Sequence, residues 1–167
     1  DSIKATLHRH YQTILERDNY VTAEKVRNVF LGKEEKAKTL LQVFSQHNEQ
    51  YALKVGKTAT QKTYTRYELT KNRLAEYIHD KYNVEDITFR EINVVFIEGF
   101  YLFIRENYPC AHNTAMKFIQ RFRTVVLFAH NLGLITFNPF GAYKLKFEYV
   151  ERDFLEQAEL DRIYPVS

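Results

Sequence analysis

A single cysteine, Cys110, leaves the chain without an internal disulfide framework or a thiolate zinc cluster, and fits a reducing cytoplasm. No apolar run approaches the roughly 18 residues of a spanning helix, and no signal-peptide pattern opens the chain, so no membrane partner is expected. Tryptophan is missing too, but thirteen Phe and twelve Tyr promise a core built from rings. With 45% hydrophobic and 27% charged residues, the 167-residue chain can bury a real core in one or two small domains, which excludes disorder. There is no internal repeat and no low-complexity tract. The chain begins at Asp1 and stops at Pro165-Val166-Ser167 in mid-pattern, and so reads as a piece of something longer.

The most informative absence is of negative charge. From Asn107 to Phe147 there is no Asp or Glu, yet Lys117, Arg121, Arg123, Lys144 and Lys146 all fall there. A net charge of +3 is mild, so what matters is where the charge sits rather than its sum. Residues 111 to 133 carry the 3.6-residue period of one long amphipathic helix. Ala115, Ile119, Phe122, Val126 and Ala129 share one side, while Asn113, Thr114, Gln120, Arg121 and Thr124 gather around Lys117 on the other. One face is core and the other is an acid-free strip of amides, hydroxyls and cations. Such a strip suits nucleic acid, where cations meet phosphates and amides reach base edges. A solvated face that happens to lack acids has the same composition.

Taken in order, Ile3, Leu7, Tyr11 and Ile14 mark a short helix over residues 3–17, broken at Asn19-Tyr20. Thr22 can cap a second through Phe30, with Glu24 well placed in its first turn. The charged stretch from Leu31 to Lys38 is a linker. Three S/T-x-x-E/Q boxes then mark helix starts: Thr39 with Gln42, Thr58 with Gln61, and Thr88 with Glu91. The first predicts a helix with Leu40, Phe44, His47 and Tyr51 on one stripe. The second predicts a longer helix to about Tyr82, with Tyr67, Leu74 and Ile78 together. The third, carrying Ile92, Val95, Phe96, Phe100, Phe103 and Ile104, is apolar around most of its circumference and is expected at the centre of a bundle. Asn113 is the candidate cap of the fourth helix, and Gly133 its C′ residue. After the stiff Asn138-Pro139 turn, Tyr143 to Phe147 alternates as an extended segment with Lys144 and Lys146 on one side.

The second bundle helix repeats the theme of the fourth. Lys62, Arg66 and Arg73 line a flank at i, i+4, i+11, and the segment between Gln50 and Tyr67 holds Lys54 and Lys57 but no acid. Thr58, Thr60 and Thr63 add hydroxyls where helical N–H groups favour a phosphate. Cations in a first turn oppose the helix dipole, so their placement points to an external anion.

The order Cys110-Ala-His-Asn-Thr-Ala-Met-Lys117, Ala129, Gly133-Leu-Ile135 and Asn138-Pro139-Phe140 resembles the core-binding, SAM-like domain of tyrosine recombinases, and is similar above all to phage-type integrases of Bacteroides and related bacteria. Arg152-Asp-Phe154-Leu155, Glu159-Leu160 and Ile163 resemble the opening helix of the catalytic domain of that family, and residues 1 to about 37 the end of its arm-type DNA-binding domain. The resemblance implies an all-α fold: a four-helix SAM-like bundle over 38–147, with short N-terminal helices over 1–37, a C-terminal extended segment, and a linker and catalytic-domain start over 148–167. It implies half of a clamp on double-stranded DNA, with the second and fourth bundle helices facing the major groove, and a full-length protein that is tetrameric on DNA around a monomeric fragment. It implies DNA integration and recombination by a mobile element, with no cofactor and no metal. The DNA-binding candidates are Lys57, Thr58, Thr60, Lys62, Thr63, Arg66, Arg73, Asn113, Thr114, Lys117, Gln120, Arg121, Lys144 and Lys146.

No catalytic residue is assigned within the chain. The family's Arg, Lys, His, Arg and nucleophilic Tyr belong to the catalytic half, and no H-x-x-R motif here would activate any of the twelve tyrosines. Glu98 and Glu106 lack a paired acid or base at useful spacing, and His112 and His130 lack the partners of a metal site. The alternative to a DNA-binding module is a helical protein-interaction or regulatory domain whose basic faces meet acidic partners.

Overall fold

The computed structural model describes residues 2–18, 21–32, 37–151 and 162–163. Among the described residues the fold is all-α, with six helices and no strand: α1 (Ser2–Asp18), α2 (Ala23–Phe30), α3 (Leu40–Ala52), α4 (Gln61–Tyr82), α5 (Val94–Asn107) and α6 (His112–Asn131). None of these helices is long and apolar enough to cross a membrane. The reading of residues 152–161 as the opening of a catalytic domain lies outside the described residues, as does the Asn19-Tyr20 break.

α1 and α2 pack on each other, with Ile14 buried and the His10 and Phe30 rings in contact. Thr22 caps α2 as its sequence position implies, its hydroxyl accepting from the Lys25 N–H at 3.2 Å. α3 to α6 form the bundle. α4 and α6 each touch the other three helices, so the long amphipathic pair forms its axis.

The core face of α6 is the one its periodicity marks. Ala115, Ile119, Phe122, Val126 and Ala129 are fully enclosed, together with Phe96 and Phe100 of α5. The abundance of rings has a packing use. Phe122 lies edge-on to Phe96, Phe100 and Phe140, at centroid distances of 6.1, 6.0 and 5.1 Å, and Tyr77 of α4 closes on Phe96 and Phe100 at 5.1 and 5.6 Å. Such edge contacts add to the burial of area itself.

Helix ends follow local chemistry. Gly133, at φ 72°, closes α6 in a Schellman motif: its N–H donates to His130 O and that of Leu134 to Ala129 O, both at 3.0 Å. At the start of α3, Gln42 reaches back to the Thr39 N–H at 3.2 Å. Asp86, far along the chain, completes the cap by accepting from the Thr39 hydroxyl and, at 3.0 Å, from the Leu41 N–H.

Three expectations about helix starts need correcting. α4 begins at Gln61 under a Thr60 cap, whose hydroxyl accepts from the Thr63 N–H at 3.2 Å; Thr58 stays in the preceding turn. The Thr88–Glu91 box forms, but it closes only one 3₁₀ turn, Phe89–Glu91. Ile92 turns extended to bury its side chain, and Asn93 restarts the chain as α5 by accepting from the Phe96 N–H at 2.9 Å. Asn113 does not cap α6; Ala111 holds that position.

α5 is not the central helix. Val95 is 78% exposed, and Val94 and Leu102 also face outward. A helix apolar all round gives no direction for its outer side, and α5 packs mainly on α4 and α6.

Candidate nucleic-acid interface

The first element of the site is the tight loop from Leu53 to Thr60. The Lys54 carbonyl accepts from three N–H groups, those of Lys57, Thr58 and Ala59, at 3.1, 3.0 and 3.1 Å. Gly56 supplies the positive φ of 81° that this winding needs. The loop leaves Lys57 and Thr58 exposed beside the N-terminus of α4. Thr60 is occupied in capping, and its hydroxyl also meets that of Thr63 at 3.0 Å. No acid stands in the first turn of α4 or of α6. Lys62 and Arg66 follow on the exposed side of α4.

α6 brings its polar strip alongside. Thr114, Lys117 and Gln120 are exposed, and Arg121 is half-buried with its guanidinium 5.7 Å from the Phe118 ring centre. Burial pushes the Arg121 pKa down, the nearby Arg66 charge pushes it further the same way, and Tyr67 opposes them. An arginine keeps its proton regardless. The two cations belong to different helices, α4 and α6. Among the described residues, none of Lys57, Lys62, Arg66, Lys117, Arg121, Lys144 and Lys146 has an acid within ion-pair range.

Arg73 differs from these cations in having an acid partner. Its guanidinium donates to both Glu76 carboxylate oxygens, at 3.0 and 3.1 Å, and lies 3.6 Å over the Tyr108 ring, while the Tyr108 hydroxyl bonds Glu76. Glu76, one turn on, neutralises it and ties it to the α4–α5 junction. Lys62 and Arg66 carry the flank without it.

Asn113 and the C-terminal segment form a third element. The Asn113 amide donates to Glu148 O and accepts from Glu148 N–H, both at 2.8 Å. His112 donates through Nε2 to Lys146 O at 2.6 Å and accepts at Nδ1 from the Tyr101 hydroxyl at 2.8 Å. The Tyr143 hydroxyl donates to Glu98 at 3.1 Å. As the alternation implies, Tyr143 and Leu145 pack inward while Lys144 and Lys146 are exposed; Phe147, the third apolar position, departs from it and is exposed. Sequence reasoning missed His112, Tyr101 and Glu98 as fasteners of this segment. Their partners are backbone groups or residues more than ten positions away, which leave no local signal. Among the described residues no group of His, Cys, Asp and Glu is arranged to hold a metal.

Two neighbouring helices of the bundle thus carry acid-poor, cationic flanks. The family described as the phage integrase SAM-like domain matches residues 39–156, well over half of the chain, and the protein belongs to that family. Membership implies DNA binding as the core-binding domain of an integrase. No curated protein and no solved structure matches the chain.

Proposed function

We propose that the chain is the core-binding part of a tyrosine recombinase of the Bacteroides phage-integrase type, gripping one side of the core-site duplex during DNA integration. The observation that carries this reading is that, among the described residues, Lys62 and Arg66 on α4 and Lys117 and Arg121 on α6 have no acid within ion-pair range. Unpaired cations on neighbouring helices are the arrangement that phosphates would neutralise. Lys57, Lys62 and Lys117 extend the same face along the backbone of a duplex, with Thr58, Thr63 and Thr114 as neutral donors. Gln120, exposed one turn from Lys117, is the candidate for a base edge, because its amide can pair bidentately with adenine.

In this reading residues 1–37 belong to an arm-binding domain, and residues from 148 onward lead into a catalytic half that supplies the phosphotyrosyl chemistry. The test is a fluorescence-anisotropy titration with an inverted-repeat core duplex and a scrambled one, each at two salt concentrations. Binding to both with a steep salt dependence, and tighter to the core site, supports the recombinase module. A protein-interaction domain with basic faces would show no preference for the core duplex over the scrambled one.

A further inference from the structure

The segment after the Asn138-Pro139 turn has no strand to pair with, yet its path is fixed. Among the described residues, the backbone of residues 144–148 makes three hydrogen bonds, and all three run to two adjacent side chains of α6. Lys146 O accepts from His112 at 2.6 Å, and Glu148 exchanges two bonds of 2.8 Å with the Asn113 amide. Tyr101 of α5 holds the His112 ring by donating to Nδ1 at 2.8 Å, and Arg105 donates to the same Tyr101 oxygen at 3.2 Å. The Nε2 proton must therefore point at the segment, since a carbonyl can only accept. At the other end, the Tyr143 hydroxyl bonds Glu98 at 3.1 Å.

An extended chain fastened at both ends has a fixed side-chain register. Tyr143 and Leu145 turn inward, and Lys144 and Lys146 must turn out. Asn113 stands one helical turn before Lys117, so the clasp joins the segment to α6 next to the polar strip.

We infer that His112 and Asn113 are positioning residues for DNA binding: they clasp the 144–148 segment to α6 so that Lys144 and Lys146 reach phosphates beside Lys117. This rests on the DNA-binding reading above. Asn113 then acts through the segment, and its amide does not read a base.

The test compares duplex binding by the parent, Asn113→Ala, Lys144→Ala/Lys146→Ala and the triple variant, at several salt concentrations. The lysine pair should flatten the dependence of log K on log salt by about 1.8, at about 0.9 per phosphate contact. Asn113→Ala should flatten it in the same sense by less, and the triple variant should bind no more weakly than the lysine pair. Hydrogen exchange without DNA should show faster exchange at the Glu148 amide in Asn113→Ala, with the bundle amides unchanged. His112→Phe keeps a ring against Tyr101 but loses the donor to Lys146, and should behave like Asn113→Ala; it serves if that variant folds poorly. Additive weakening in the triple variant would overturn the inference, because Asn113 would then touch DNA itself. Unchanged exchange at Glu148 would overturn it as well. If the lysine pair binds like the parent while Lys117→Ala/Arg121→Ala is weakened, the segment is off the DNA and only this inference fails. If the parent binds no duplex, the DNA-binding reading fails with it.

Discussion

Arg66 of α4 lies close enough to Arg121 of α6 for its charge to lower the Arg121 pKa, on top of the larger effect of burial. Opposite signs of effect follow for stability and binding. Arg66→Gln should leave unfolding free energy unchanged or raise it by up to about 0.5 kcal/mol, as expected for relief of an exposed charge contact. The same change should weaken duplex binding. Added salt should stabilise the free parent more than the variant, because screening already softens the repulsion. Urea titrations at two salt concentrations measure this. A clear loss of stability in Arg66→Gln would show that the arginine is held by attraction instead.

The ring core predicts two responses. Phe100 is fully enclosed between Tyr77 and Phe122, so Phe100→Ala should cost about 3–5 kcal/mol in chemical denaturation. Gly99 lies on α5 directly under the Tyr77 hydroxyl, which a Cβ would strike. Gly99→Ala should therefore destabilise by about 1–3 kcal/mol, although alanine is the better helix former. Tyr77→Phe, made together with it, should recover part of that loss. A stabilised Gly99→Ala would contradict this packing.

His47 gives the bundle a pH dependence. Burial lowers its pKa from the ordinary 6.5, the Asn48 hydrogen bond at 3.0 Å opposes this, and Lys54 lowers it further. The folded state thus binds the proton less well than the unfolded chain. Stability is unaffected well above pH 6.5 and falls as the pH drops below 6.5 towards the folded pKa, by at most about 1.4 kcal/mol per unit. His47→Gln should lose this slope. Denaturation of both proteins at pH 7.5, 6.5 and 5.5 checks it, since carboxylate contributions cancel in the difference.

The domain map makes a simpler forecast. Limited proteolysis should cut first between Gly32 and Lys38 and near Glu151, leaving the bundle intact. Initial cleavage inside α4 or α6 would overturn the division at 37 and 148.

What could be read in the sequence was whatever repeats locally. The core stripe of α6 follows from its period, and the end at Gly133 from the φ that only glycine adopts easily. The outer side of α5 was not legible because an apolar helix has no period to orient it, which hid the exposure of Val95. Capping boxes located turns but not helix lengths: the box at Thr88 holds one turn, because burial of Ile92 outweighs helix propagation. The pairing of Arg73 with Glu76, three residues apart, was visible in principle. Asn113 with Glu148 was not, since the contact spans 35 residues and ends on backbone atoms.

On the reading proposed above, the exposed polar strips of α4 and α6 meet DNA. Lys117→Ala/Arg121→Ala should weaken binding to every duplex and flatten the salt dependence by about 0.9 for each phosphate no longer neutralised. Lys81, exposed in the groove between α4 and α5, is the control, and Lys81→Ala should bind like the parent. Fluorescence anisotropy at two salt concentrations decides between them. Parent-like binding by Lys117→Ala/Arg121→Ala, with weakened binding by Lys81→Ala, would put the DNA on the other side of the bundle.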